Sequence, residues 1–363
     1  MGKTNAIKRS ALAALALVFA LSLGGCAPKD VRINAAILGF DEIQPSAVPT
    51  SPAPLGDDTN KSTGHALITF VGDCTFSSIQ GMSAFDEVYD SNGPAYFLSG
   101  VADVFAADDL TVINLEGPIT TSDNQIDKGP ANDDDGNPIA FWFKSPLEYT
   151  QILTSSSVEV CNLANNHSLD FGLEGFEETK RVLKDAGIDY FVYDDILVRE
   201  VNGIKIGFFG FSFDSDPDNI HEIMDQLYAA DAEVIVAYFH DGIEGYYYPN
   251  DSQVEAAYTA IDYGASAVIM SHPHVLQGTE EYNGGFIAYS LGNFCFGGNT
   301  NPDDKDCMMV QLEFSRESGG ITCTPHVIPC SITSTPGTND YRPMVLEGEE
   351  AQRVLDKIAE YSR

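Results

Sequence analysis

Five apolar runs in this chain stop in the same way. The stretches 67–73, 110–116, 160–167, 234–240 and 267–274 are short, rich in Val, Ile, Leu and Phe, and end in Asp, Glu, Asn or His. Short apolar runs of this kind, each stopping at a polar tip, read as strands. Between them the apolar spacing lengthens to the helical period. It predicts helices before about 108 and over 146–154, 173–187, 219–230, 251–263 and 347–361. Further strands are predicted at 139–143, 188–193, 279–289, 305–315 and 320–328, and 117–138 reads as a loop. Asn202-Gly203, between 196–201 and 204–212, predicts a two-residue hairpin. Alternating elements that give way to strand pairs suit two sheets packed face to face, with helices outside.

The polar ends carry the chemistry. Asp73 and Glu116 close the first two runs. Asn165, Asn166, His167 and Asp170 follow the third, His240 closes the fourth, and His272 and His274 close the fifth. In α/β sheets, functional groups gather at the carboxyl ends of the strands. Asn165 and Asn166 also suit turn caps, and Asp170 suits the start of the helix at 173. A lone histidine is an ordinary residue; five runs ending alike are not. Carboxylate, amide oxygen and imidazole form the mixed ligand set of Zn, Mn or Fe. A carboxylate able to bridge, with imidazoles and an amide around it, fits a two-metal site that activates a shared water.

These residues stand in blocks: Gly72-Asp73, Asn114-Leu115-Glu116, Asn165-Asn166-His167, His240-Asp241-Gly242-Ile243-Glu244, His272-Pro273-His274 and Leu291-Gly292-Asn293-Phe294. Their order resembles the poly-γ-glutamate capsule-synthesis (CapA-type) family over roughly 65–345. The resemblance implies an α/β fold of metallophosphatase type, a four-layer α-β-β-α sandwich, with one or two divalent ions. It implies Asp73, Glu116, Asn166, His240, His272 and His274 as metal ligands, with Glu116 bridging. His167 would then be the neighbouring non-ligand histidine that protonates a leaving group. Asp170 either orients His167 or caps the next helix. The chain departs from the pattern in three places. Asp73-Cys74-Thr75 stands where many metallophosphatases have Asp-x-His, Asp241 where the family usually has Trp, and Ser78 where a basic residue is common.

The first residues point to a location. Lys3, Lys8 and Arg9 precede the apolar run 11–23, which is followed by Gly24, Gly25 and Cys26. That is the layout of a secretory signal, and the run is short of the roughly 20 residues a membrane span needs. The Leu23-Gly24-Gly25-Cys26 end resembles a bacterial lipobox, which makes Cys26 the expected lipidation site. The expected organisation is a signal peptide at 1–25, a Pro-rich tether at 26–64, a main domain at 65–345 and a closing helix within 346–363. The expected place is extracytoplasmic, with the lipid anchored in the bacterial cell membrane.

Net charge narrows the partners. It is −35, and loss of residues 1–25, which hold three basic and no acidic residues, would take it to −38. Such a chain is repelled by nucleic acid and by anionic lipid. It also repels a polyanionic substrate unless bound metal makes a local cationic spot. The acidic run at 132–137 fails the EF-hand spacing, because Ala131 and Trp142 fall on the first and twelfth ligand positions. It reads as a solvated loop.

Six cysteines remain beyond Cys26. A hairpin turning at Ser318-Gly319 sets Cys307 opposite Cys330, which predicts a cross-strand disulfide. Two functional expectations stand together. The resemblance implies a part in assembling or exporting poly-γ-glutamate or another envelope polymer, beside synthetase or export membrane proteins. The metallophosphatase side of the resemblance implies instead a surface metal-dependent hydrolase of a phosphoester or γ-glutamyl bond, with His167 as general acid.

Overall fold

The computed structural model describes residues 64–79, 84–132, 139–213 and 216–363. The signal segment, Cys26, nearly all of the tether and the acidic residues after Asn132 lie outside these residues. Strands β1 (His65–Thr75), β2 (Leu110–Leu115), β3 (Val160–Asn162) and β4 (Asp189–Phe191) run parallel in one sheet. A second sheet holds β5 (Leu197–Val201), β6 (Ile204–Ser212), β7 (Val234–His240), β8 (Ala267–Ser271), β9 (Thr279–Tyr282) and β10 (Gly285–Ala288). Its order is β5-β6-β7-β8-β10-β9, with β6, β7, β8 and β10 parallel. The chain then returns to the first sheet. There β11 (Asn293–Phe296) pairs with β1 in parallel, and β12 (Asp306–Glu317), β13 (Gly320–Ser331) and β14 (Met344–Val345) extend it antiparallel.

Three apolar cores separate four layers. Outside the first sheet lie α1 (Phe85–Asn92), α2 (Ala102–Phe105), α3 (Thr150–Thr154) and α4 (Gly172–Asp185), with Phe85, Phe105, Ile152 and Leu183 in that core. Between the sheets, Ile68, Phe70 and Val112 meet Ile206, Phe208, Val236 and Ile269. Outside the second sheet, α5 (Pro217–Ala229) and α6 (Asp251–Asp262) cover Phe209, Ile235 and Val268 with Ile220, Met224 and Ala257. Both faces of β2, β7 and β8 are buried, which is why these strands are apolar throughout. The last helix, α7 (Gly348–Tyr361), sends Val354 and Ile358 into the core between the sheets. Arg353 and Lys357 of α7 fasten it to Asp306 at 2.7 and 2.9 Å.

Some expectations need correction. Residues 139–143 join no strand: Lys128 Nζ donates to Phe141 O at 2.8 Å, and the Phe143 amide donates to Asp170 Oδ2 at 2.7 Å. Those side-chain contacts, with a backbone bond from the Ile139 amide to the Ala131 carbonyl at 2.9 Å, hold the extended segment without a ladder. The helix expected at 146–154 opens as a 3₁₀ turn at Leu147–Tyr149 before α3. The short strands β11 and β14 carry no apolar run long enough to mark them. In the β12–β13 hairpin the register is the expected one, Cys307 opposite Cys330, but the disulfide is absent and both thiols are free. Cys330 Sγ is turned to the carbonyl of Ile328 at 3.5 Å. The Asn202-Gly203 hairpin stands as read, with positive φ at both residues, 49° and 82°.

Candidate metal centre

The parallel strands of both sheets deliver their carboxyl ends to one edge. In β1 the register against β2 slips between Phe70, paired with Val112, and Asp73, paired with Asn114. A bulge of this kind re-aims the side chain that follows it, and Asp73 is wholly buried. Glu116 follows β2, and its amide donates to Cys74 O at 2.9 Å. The polar tip after β3 supplies Asn165, Asn166 and His167; β7 ends in His240, and the turn after β8 holds His272 and His274. Both of those histidines have positive φ, 110° and 57°. Backbone strain of this sort costs about 1–3 kcal/mol per residue. A fully buried Val, Ile or Phe stabilises by roughly 1.5–3 kcal/mol, so the cores beneath outweigh the strain.

The six expected ligands come together in two groups around Glu116. In one, His240 Nε2 lies 2.8 Å from Asn166 Oδ1, 3.2 Å from His272 Nδ1 and 3.6 Å from Glu116 Oε1. In the other, His274 Nδ1 lies 3.2 Å from Asp73 Oδ2, and His274 Nε2 lies 3.9 Å from Glu116 Oε1. Asp73, Glu116 and His274 place ligand atoms within 4.8 Å of one another, a spacing that would suit one cation. Glu116 Oε1, buried and common to both groups, accepts no hydrogen bond. An unpaired buried carboxylate oxygen is costly. A cation at this position would relieve it.

Electrostatics agree with that reading. Burial works against the charge of Asp73, but His274 and His240 outweigh it and hold the carboxyl below its ordinary range. Burial, then the Asp73 charge, pushes Glu116 well above the usual carboxylate range. Burial brings His240 down to about 3 and drives His272 well below the normal imidazole range. Burial also opposes a charge on His274, but Glu116 and Asp73 overcome it and raise that imidazole to about 10. The cluster therefore holds two neutral imidazoles suited to ligation beside crowded carboxylates, and bound cations would ease that crowding.

Beside the ligands sits a separate relay. His167 Nδ1 lies 2.8 Å from Asp170 Oδ2, and its ring packs on Phe143 with centroids 4.1 Å apart. Asp170 caps nothing: the residue before α4 is Phe171, and no side chain caps that helix. Lys128, which sequence reasoning passed over, forms a buried ion pair with Asp170 and lies 3.3 Å from His167 Nδ1. Asn114 and Asn293 were also missed. Asn114 Nδ2 donates to Asp73 Oδ1 at 2.8 Å and to His240 Nδ1 at 3.2 Å; its Oδ1 accepts from Asn162 and Asn165 at 3.0 and 3.2 Å. Asn293 Oδ1 lies 2.9 Å from His274 Nδ1. Such contacts fix ring orientation and tautomer behind a metal. Asn114 and Asn293 lie inside recognisable blocks, whereas Lys128 comes from a loop without pattern.

The layers and the clustered ligand-type residues define a metallophosphatase-like α-β-β-α protein. The chain belongs to the family described as "Bacterial capsule synthesis protein PGA_cap", whose profile matches residues 67–298. It is 28% identical over 278 residues to "PGA biosynthesis protein CapA" of Bacillus subtilis (strain 168), covering 69% of this chain and 68% of that one. "Capsule biosynthesis protein CapA" of Bacillus anthracis is 27% identical over 276 residues, with 68% of this chain and 64% of the relative covered. The match thus spans about two thirds of the length of each relative. Among solved structures, TT1561 of Thermus thermophilus overlays 67% of this chain and 93% of its own, at 10% identity and a TM-score of 0.39.

Proposed function

We propose that this chain is a divalent-metal protein of poly-γ-glutamate, or related envelope-polymer, biosynthesis or export. In this reading it stands outside the cytoplasm, tethered to the cell membrane by lipid on Cys26, beside synthetase or export membrane proteins. The capsule-synthesis family and the roles named for the two CapA relatives support the pathway. Asp73, Glu116, Asn166, His240, His272 and His274 would hold one or two ions of Mn, Zn or Fe. The observation that carries the metal reading is the buried, unpartnered Glu116 Oε1 at the point where both ligand groups meet.

A bound divalent ion would supply positive charge and Lewis acidity where this very acidic chain otherwise offers an anionic polymer only repulsion. The protein's own residues do the rest. Asn114 and Asn293 hold the His240 and His274 rings, and Asp170 holds His167 with its Nδ1 engaged. That would leave His167 Nε2 as the ring nitrogen that gives or takes a proton. This relay is the specific feature that favours a second reading, a surface hydrolase of a phosphoester or γ-glutamyl bond with His167 as general acid.

Two variants separate the readings. In cells whose polymer depends on this chain, His272→Ala should abolish polymer production under either. His167→Ala should leave polymer intact if the site only binds, and abolish it if the site cleaves. Full polymer production by His272→Ala cells would contradict both.

A further inference from the structure

Thr75 occupies the place where many metallophosphatases have a ligand histidine, and it does not replace that ligand: its hydroxyl donates to Glu116 Oε2 at 3.4 Å. The turn after β7 brings Glu244 up to His272 and His274. A Glu244 carboxylate oxygen and ring nitrogens of His272 and His274 all lie within 4.8 Å of one another. Two imidazoles and a carboxylate at that spacing form a nitrogen and oxygen donor set for Mn, Zn or Fe. The charge of Glu244 is felt at both His274 and Glu116.

Glu244 is exposed, yet its turn is fixed. The amide of Gly245 donates to the carbonyl of Pro273, between the two histidines, at 2.8 Å. Gln277 Nε2 donates to Tyr246 O at 2.8 Å, and Gln277 Oε1 in turn accepts from Gln253 at 2.9 Å. At Gly242, with φ of 128°, a β-carbon would meet Gln253 and Pro273 at 2.8–2.9 Å, so the chain turns tightly there. The second, independent pointer is Glu116 Oε1, buried without a hydrogen-bond partner and 3.9 Å from His274 Nε2.

We propose that Glu244 is a further metal ligand, closing the His274 side of the centre from the solvent face in place of the imidazole that position 75 lacks. This rests on the reading that the centre binds divalent ions, and it assigns one ligand within it. A carboxylate supplied from an exposed turn makes that ion the more exchangeable one and lowers the net positive charge shown to substrate.

The test uses Mn²⁺ as probe on the full chain, with metal content by elemental analysis, affinity by equilibrium dialysis, and the Mn electron paramagnetic resonance spectrum. Glu244→Gln should bind about one equivalent fewer per chain, or bind it at least tenfold more weakly, which is what losing a ligand or its close support costs. Its spectrum should shift toward isolated ions, while its melting temperature in chelator matches wild type. Wild-type protein that takes up Mn²⁺ beside a Glu244→Gln variant with equal content and affinity would overturn the assignment and leave the metal centre standing. Wild-type protein that takes up none would overturn the centre itself, and Glu244 with it.

Discussion

The amide of Asp73 donates to the carbonyl of Gly292 at 3.2 Å, and that same carbonyl lies directly over Gly72. A β-carbon on Gly72 would fall deep inside the contact distance of the Gly292 oxygen and also press on Leu291. The Gly72-Asp73 pair is therefore one device: the glycine admits the neighbouring backbone, and the backbone fixes Asp73. Gly72→Ala should cost about 1–3 kcal/mol or more, as overpacking does. The check is denaturant unfolding beside Gly319→Ala, where a β-carbon meets nothing within 4 Å. Equal stability of the two variants would refute the steric argument.

Lys128 and Asp170 offer a second test. Their side chains are 2% and 0% exposed, so each charge depends on the other. Burial alone pulls the Lys128 ammonium down, and Asp170 opposes that pull. Removing one partner of a buried pair leaves an uncompensated charge, at a cost of about 3–5 kcal/mol. Lys128→Met should lose about that much. The double variant Lys128→Met with Asp170→Asn should lose less than the two single losses combined. Strict additivity would show that the pair does not act as a unit.

Glu159 carries a pH dependence away from the site. It sits just before β3, where its Oε2 accepts from the Thr111 amide at 2.8 Å, and burial pushes it up to about 7. An unfolded-chain glutamate titrates near about 4.3. Between those values the folded protein keeps a proton that the unfolded chain has released, so stability falls as pH rises through that window and levels off above it. Glu159→Gln keeps the acceptor and removes the titration. Its melting temperature should gain on wild type as pH rises from about 4.3 to about 7, and parallel curves would contradict the assignment.

Much of this candidate site could be read from the chain because its ligand-type side chains end the apolar strands. Asp73, Glu116, His240, His272 and His274 are each announced by the run before them, and parallel pairing brings such ends to one edge. Lys128, Asn293 and Glu244 could not be placed that way. They arrive from a loop, from a four-residue strand and from a turn, each held by contacts distant in sequence. The extended run at 139–143 misled for the same reason: Lys128 and Asp170 take up the Phe141 carbonyl and the Phe143 amide that a ladder would otherwise use. The Cys307–Cys330 register followed from simple hairpin counting, but thiol direction does not follow from register.

Six side chains, three from the strand ends of each sheet, would hold divalent metal. The most direct measurement is metal content, with melting temperature in chelator and in Mn²⁺ or Zn²⁺, for wild type, His272→Ala and His167→Ala. An ion that binds only the folded state stabilises it by about 2.7 kcal/mol at a hundred times its dissociation constant. Wild type and His167→Ala should both take up metal and melt higher with it. His272→Ala should lose at least part of the metal and most of that stabilisation. Wild-type protein that stays metal-free and melts at one temperature in chelator and in metal would contradict the account.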